Sequence, residues 1–161
     1  MSNPSIIIFT DGAALGNPGP GGYGAVLMFG PYRKELSEGY RLTTNNRMEL
    51  LAVIKALSAI HDKSHEIHIY TDSKYVCDAV EKKWLDGWVR KGFAKVKNPD
   101  LWKQFYQMKN DFKMKLHWVK GHAGIPENER CDFLATTAAK NNPHLVDQFY
   151  ENQSKIDNSL L

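Results

Sequence analysis

Cysteine is scarce in this chain. Cys77 and Cys131 are the only two in 161 residues, they lie far apart, and they form no C-x-x-C pair. A disulfide-stapled scaffold and a thiolate zinc site are thereby excluded, and reduced thiols in a cytoplasmic setting are expected. No apolar run is long enough to span a bilayer, so no membrane partner is expected. The opening residues, MSNPS, lack the basic and apolar regions of a secretory leader. There is no internal repeat and no low-complexity segment. Neither sign of charge dominates, since 21 Lys and Arg face 18 Asp and Glu for a net +3. That balance is only a weak attraction for a polyanion. The one glycine- and proline-dense stretch, GNPGPGG (Gly16–Gly22), has no GK[ST] and runs into an apolar segment instead of a helix. It is therefore neither a Walker A loop nor a dinucleotide fingerprint. It reads as a hairpin connection whose glycines permit close backbone approach beside Asp11, with Asn17 placed to donate to a sugar or base.

What remains is an ordinary globular composition, 42% hydrophobic and 24% charged, in a chain of one-domain length. Ile6–Thr10 is apolar on both faces and reads as a central strand. Tyr23–Phe29 and Lys34–Tyr40 follow as two strands of an antiparallel meander, joined by a turn at Gly30-Pro31. Leu50, Leu51, Val53, Ile54 and Leu57 recur at helical spacing in a helix expected from about Asn46 to Lys63. Ile67–Thr71 is a fourth strand, Ser73–Lys83 and Leu101–Phe112 are helices, and Met114–Val119 is a fifth strand. Pro126 opens a last helix that reaches Lys140. The order β-β-β-α-β-α-α-β-α predicts an α/β fold, a five-stranded mixed sheet with helices packed on it.

Four acids stand out. Asp11 ends the first strand and Asp72 the fourth, so parallel neighbours would project both at one carboxyl edge, where open sheets bind ligands. Glu49 lies in the first turn of the first helix and Asp132 in the last helix. Each alone has a plain explanation. Asp11-Gly12 suits a turn, Asn46-x-x-Glu49 has capping-box spacing, Asp72 suits an N-cap, and Asp132 suits a solvated helix face. Together, two acids at strand ends and two on helices against the same sheet can converge. Carboxylates sharing a site need a cation, and oxygen ligands without His or Cys select Mg²⁺ or Mn²⁺.

Basic charge is concentrated in Lys82–Asn98, KKWLDGWVRKGFAKVKN, with six Lys or Arg and one acid, Asp86, interleaved with Trp84, Trp88 and Phe93. Either it is a solvated face whose aromatics complete the core, the expected role of Trp84, or it grips a polyanion. The residues from Val146 are polar and read as a tail holding at most a short helix.

In order and spacing, FTDGAALGNPGPGGYG, TTNNRMEL, YTDSKYV and WVKGHAGIPENERCDFLA resemble bacterial ribonuclease H type 1 from about Ile6 to Tyr150. The resemblance implies a ribonuclease H-like catalytic domain over 1–145, including a basic protrusion at about 82–98, followed by a tail over 146–161. It implies a monomeric endonuclease that cuts the RNA strand of RNA–DNA hybrids and leaves 5′-phosphate and 3′-hydroxyl ends. Primer removal and R-loop clearance are the implied setting. Asp11, Glu49, Asp72 and Asp132 match the family's metal-binding acids, which hold two Mg²⁺, with Mn²⁺ as an alternative and Asp11 bridging the pair. His122, flanked by Gly121 and Gly124, matches a histidine that relays a proton or aids product release. Asn17, Asn45 and Asn46 match positions that contact the hybrid near the cut, and Thr44 and Asn98 match part of a pocket for a DNA phosphate. Trp88, Lys91 and Lys95 match the substrate-binding protrusion. Leu42 stands where the family often has an arginine, and Arg41 sits one place away. A hybrid-binding module without catalysis would lack one of these acids. A transposase or integrase on the same fold would lack the TTNNRMEL helix, and an EF-hand-type calcium protein would need a ligand run that is absent.

Overall fold

The computed structural model describes residues 4–160; Met1–Asn3, at the start of the expected catalytic domain, and Leu161, at the end of the expected tail, lie outside them. Five strands form one sheet: β1 (Ile6–Ala14), β2 (Gly19–Phe29), β3 (Tyr32–Thr43), β4 (Glu66–Thr71) and β5 (Lys113–Trp118). Their order is β3-β2-β1-β4-β5. β1, β2 and β3 make the antiparallel meander, while β4 and β5 join parallel to β1. The helices are α1 (Asn45–Ser58), α2 (Lys74–Glu81), α3 (Trp84–Arg90), α4 (Pro99–Lys109), α5 (Pro126–Lys140) and α6 (Gln148–Ser159). The mixed α/β sheet is the one the sequence predicts, with two helices more.

Burying apolar surface on both sides of the sheet holds these layers together. On one side Ile8, Ile67 and Ile69 are fully buried beneath α1, which also buries Leu50, Val53, Ile54 and Leu57. Trp102 and Phe105 of α4 and Leu85 of α3 close this core. On the other side α5 lies across β1, β2 and β3. It comes so close that a Cβ on Gly22 would sit 2.5 Å from the Ala135 carbonyl oxygen, and one on Gly24 would sit 2.5 Å from that of Cys131.

The expected hairpin connection is present but shorter, a turn over Leu15–Pro18 with Gly16 at φ 79°. β2 starts at Gly19, not Tyr23, and β1 continues past Thr10 to Ala14, pairing Asp11 with Gly24 and Ala14 with Gly21. Gly22 and Gly24 make room for α5 within a strand; they do not mark a turn. β3 likewise extends beyond Lys34–Tyr40 at both ends. α1 stops at Ser58 because the polar segment after it folds into its own turn, with Asp62 accepting from the Ser64 N–H and hydroxyl. α3 is not foreseen by the sequence pattern. Lys83, with φ 62°, breaks the chain direction after α2 and restarts the helical phase, so Leu85 enters the core. Trp84, expected in the core, is 48% exposed, with the Lys82 ammonium 5.7 Å from its ring centre.

The residues from Val146 are not loose. Asp147 caps α6, accepting from the Tyr150 N–H. Buried Arg47 binds Asp147 through Nε (2.6 Å) and Nη2 (2.9 Å) and Asp100 through Nη1 (2.9 Å) and Nη2 (2.6 Å). Arg41 holds Glu151 with hydrogen bonds of 2.8 to 3.2 Å. Cys77 and Cys131 are both free and buried.

Candidate active site

The register of the central parallel pair creates the site. β1 and β4 run in step from Ile6–Ile67 to Thr10–Thr71. Asp11 and Asp72 each follow that last pair, so two acids distant in sequence arrive at one carboxyl edge. Glu49 comes from α1, whose first turn is set by the N-cap Thr44, its hydroxyl accepting from the Arg47 N–H. That turn presses on β1 at Gly12, where a Cβ would lie 2.3 Å from the Glu49 nitrogen. Glycine at this position is therefore a condition for bringing Glu49 to Asp11. Carboxylate oxygens of Asp11, Glu49 and Asp72 lie within 4.8 Å of one another. Asp132, half-buried on α5, stands outside that trio but close enough for its charge to raise both Asp11 and Asp72.

None of the plain alternatives survives for the three. Asp11 lies within a strand, with the Gly12 N–H donating to its Oδ1 at 2.9 Å. Ser73, not Asp72, caps α2, and Thr44, not Asn46, caps α1.

The electrostatics follow from burial. Asp11 is 4% exposed, and burial pushes its carboxyl up to about 7, helped by the charges of Asp72 and Asp132 and opposed by a hydrogen bond with Glu49. Burial, then the Asp11 charge, drives Glu49 well above the usual carboxylate range. Asp72 is raised by burial and by Asp132, and lowered by the neighbouring His122. Glu49 Oε2 is buried without a hydrogen-bond partner. A buried acceptor of this kind carries a penalty that a hard cation removes. The oxygen-only donor set suits such a cation, and these residues fit a divalent metal centre.

His122 is exposed in the loop between β5 and α5, at φ 55°. The adjoining Gly121 is packed so tightly that a Cβ there would lie 2.8 Å from Asp72 Oδ2. In the sequence this glycine, like Gly12, reads as loop or turn chemistry. Its real constraint is the approach of a neighbouring element, which no local pattern reports.

The remaining candidates fall into two clefts beside the acids. One, of about 670 Å³, brings together Asn17, Thr44, Asn46 and Asn98. Asn45 stands next to it, its Oδ1 accepting from the Ala14 N–H, while Asn17 Oδ1 accepts from the Asn45 N–H at 3.0 Å. With both carbonyl oxygens engaged, the side-chain N–H groups of Asn17 and Asn45 have no protein acceptor among the described residues. Asn98 is held by Arg47 Nη1 (3.3 Å) and donates to the Tyr75 hydroxyl (2.9 Å). The second cleft, about 550 Å³, contains Trp88, Lys91 and Lys95, together with Lys97. Trp88 is half-buried, edge-on to Trp102 with ring centres 5.4 Å apart. It thus serves the core and borders the cleft at once.

Comparison with known proteins agrees with this geometry. The family described as RNase H matches residues 3–140. A ribonuclease H from Psychromonas ingrahamii is 52% identical over 151 residues, covering 91% of this chain and 97% of its own. Among solved structures, LC9-RNase H1, a type 1 RNase H with the type 2 active-site motif, superposes with a TM-score of 0.78 at 32% identity, over 96% of this chain and 82% of its own. LC11-RNase H1, solved with an RNA/DNA hybrid, superposes with a TM-score of 0.61 at 28% identity, over 84% and 96%.

Proposed function

The chain belongs to the ribonuclease H family, and from that membership we propose how its residues hydrolyse the RNA strand of an RNA–DNA hybrid. It is an endoribonuclease, a hydrolase of phosphodiester bonds. The observation that carries the reading is the convergence of Asp11, Glu49 and Asp72 within 4.8 Å on a parallel strand edge. Asp11, Glu49 and Asp72, with Asp132 beside them, would hold two Mg²⁺, or Mn²⁺, Asp11 being the acid that would serve both. Bound there, such ions supply a water acidified for attack and a stabilised leaving oxygen. Burial alone favours a shared proton on Asp11 and Glu49, so bound cations would be what keeps the acids deprotonated, and the products carry 5′-phosphate and 3′-hydroxyl ends. His122, exposed beside Asp72, moves a proton or helps the product leave.

Choosing the hybrid requires sensing both strands. The side-chain N–H groups of Asn17 and Asn45, with Asn46, meet the minor groove near the cut, where the 2′-hydroxyl distinguishes RNA. Thr44, whose hydroxyl proton remains free to donate, and Asn98 hold a phosphate of the DNA strand. Trp88, Lys91 and Lys95 take the same strand further along, in a domain spanning about 1–145. We place the protein in the cytoplasm as a monomer, working in primer removal and R-loop clearance. No helix among the described residues is long and apolar enough to cross a membrane.

The test uses matched labelled hybrid, duplex RNA and duplex DNA, with Mg²⁺ and then with EDTA. Cleavage of the hybrid alone, lost in EDTA and in Asp11→Asn, is the expected result. Turnover retained in Asp11→Asn would refute the assignment.

A further inference from the structure

We infer that α6 is the far wall of the cleft that receives the DNA strand, an aromatic surface that packs against a deoxyribose. The inference rests on the functional reading above. In the cleft of about 670 Å³, Thr44 and Asn98 line one side, while Phe149, Tyr150, Gln153 and Asp157 of α6 line the other. The polar side suits a phosphate. The α6 side offers rings, an amide and an acid, and no cation, so it suits the uncharged sugar that follows.

The wall is built, not incidental. Asp147 and Glu151 fasten the first half of α6 to Arg47 and Arg41, and Thr43 adds a 2.7 Å hydrogen bond to Asp147. This places the Phe149 ring 5.4 Å from the Arg47 guanidinium carbon, yet leaves the ring 40% exposed. A phenyl ring clamped in position and still open is ready to stack on a nucleotide. The same Arg47 holds Asn98 across the cleft, so one buried side chain fixes the distance between the walls.

The experiment measures steady-state cleavage of a labelled hybrid, and its binding in EDTA across a salt series, with full-length Phe149→Ala and Asp157→Lys. Removing the ring in Phe149→Ala is expected to raise KM by about 2- to 10-fold, with the effect falling on KM more than on kcat. Asp157→Lys, on an exposed helix face, sets a cation beside the passing backbone. It is expected to tighten binding and steepen the log–log salt slope by just under one unit per phosphate met, about 0.9 on a duplex. If Phe149→Ala loosens the fold, Asp157→Lys decides alone. An unaltered KM in folded Phe149→Ala, or an unaltered slope in Asp157→Lys, would overturn the inference. Failure of the broader reading looks different, since the wild-type protein would then leave the hybrid uncut.

Discussion

The buried acids make the stability of the metal-free protein depend on pH in an unusual sense, and Asp11→Asn isolates the effect. The Asp11 carboxyl rises from 3.8 to about 7 on folding. A raised carboxyl binds its proton more tightly in the native state, so its contribution is fully present below the unfolded value and is lost as pH rises through the folded one. At 1.36 kcal/mol per unit, the whole shift corresponds to about 4 kcal/mol, of which about 2 kcal/mol lies between pH 8 and pH 5.5. Other groups bear on the same window, Asp72, itself raised by burial, among them. Glu49, also raised by burial, can carry the shared proton, so removing the Asp11 charge recovers only part, about 1–2 kcal/mol at pH 8. His117, lowered by burial and by His68, opposes the trend below its ordinary value, but it is identical in both proteins and cancels in their difference. The lowered carboxyls, Glu35 among them, titrate at more acid pH. Urea unfolding in EDTA at pH 5.5 and pH 8 should therefore show Asp11→Asn more stable than wild type at pH 8, with the gap narrowing at pH 5.5. Adding Mg²⁺ should favour wild type at pH 8 by linkage, because cation binding stabilises only the folded site. Equal pH slopes for the two proteins in EDTA would refute the claim that these acids repel one another in a buried site.

Other predictions follow from single side chains. Arg47 is 2% exposed and neutralises Asp147 and Asp100; Arg47→Met should lower stability by about 3–5 kcal/mol in urea titration, since it strands buried charge. Gly121→Ala directs a methyl group at Asp72 Oδ2. It should reduce kcat by about 10- to 100-fold, as removing a group that orients a metal ligand does, while the melting temperature stays close to that of wild type. Replacing three of Arg90, Lys91, Lys95 and Lys97 with neutral residues should flatten the salt dependence of hybrid binding by just under one log–log unit for each phosphate no longer gripped. An unchanged slope would make the basic segment a solvated face only.

The acids were legible because strand alternation and chain order are local signals. An apolar run followed by Asp11 and another followed by Asp72 need only parallel pairing to bring the acids together, and the β-α-β order supplies it. What stayed hidden depends on partners far along the chain. Gly22 looks like part of a turn until α5 lies across it and the neighbouring Gly24. The tail reads as loose, with at most a short helix, until Arg41 and Arg47, a hundred or more positions upstream, are seen holding Glu151 and Asp147. Trp84 turns outward and Leu85 inward because one left-handed residue, Lys83, resets the helical phase, and propensity alone does not foretell such a residue.

Each of the four acids is carried by a different element, and the last of them sits on the helix that closes the far side of the sheet. A ribosome must therefore deliver almost the whole domain before α5 can dock and Asp132 can approach the trio of Asp11, Glu49 and Asp72. Until then the emerging chain lacks the fourth acid, and the order of synthesis is also the order in which the edge of the sheet acquires its charge.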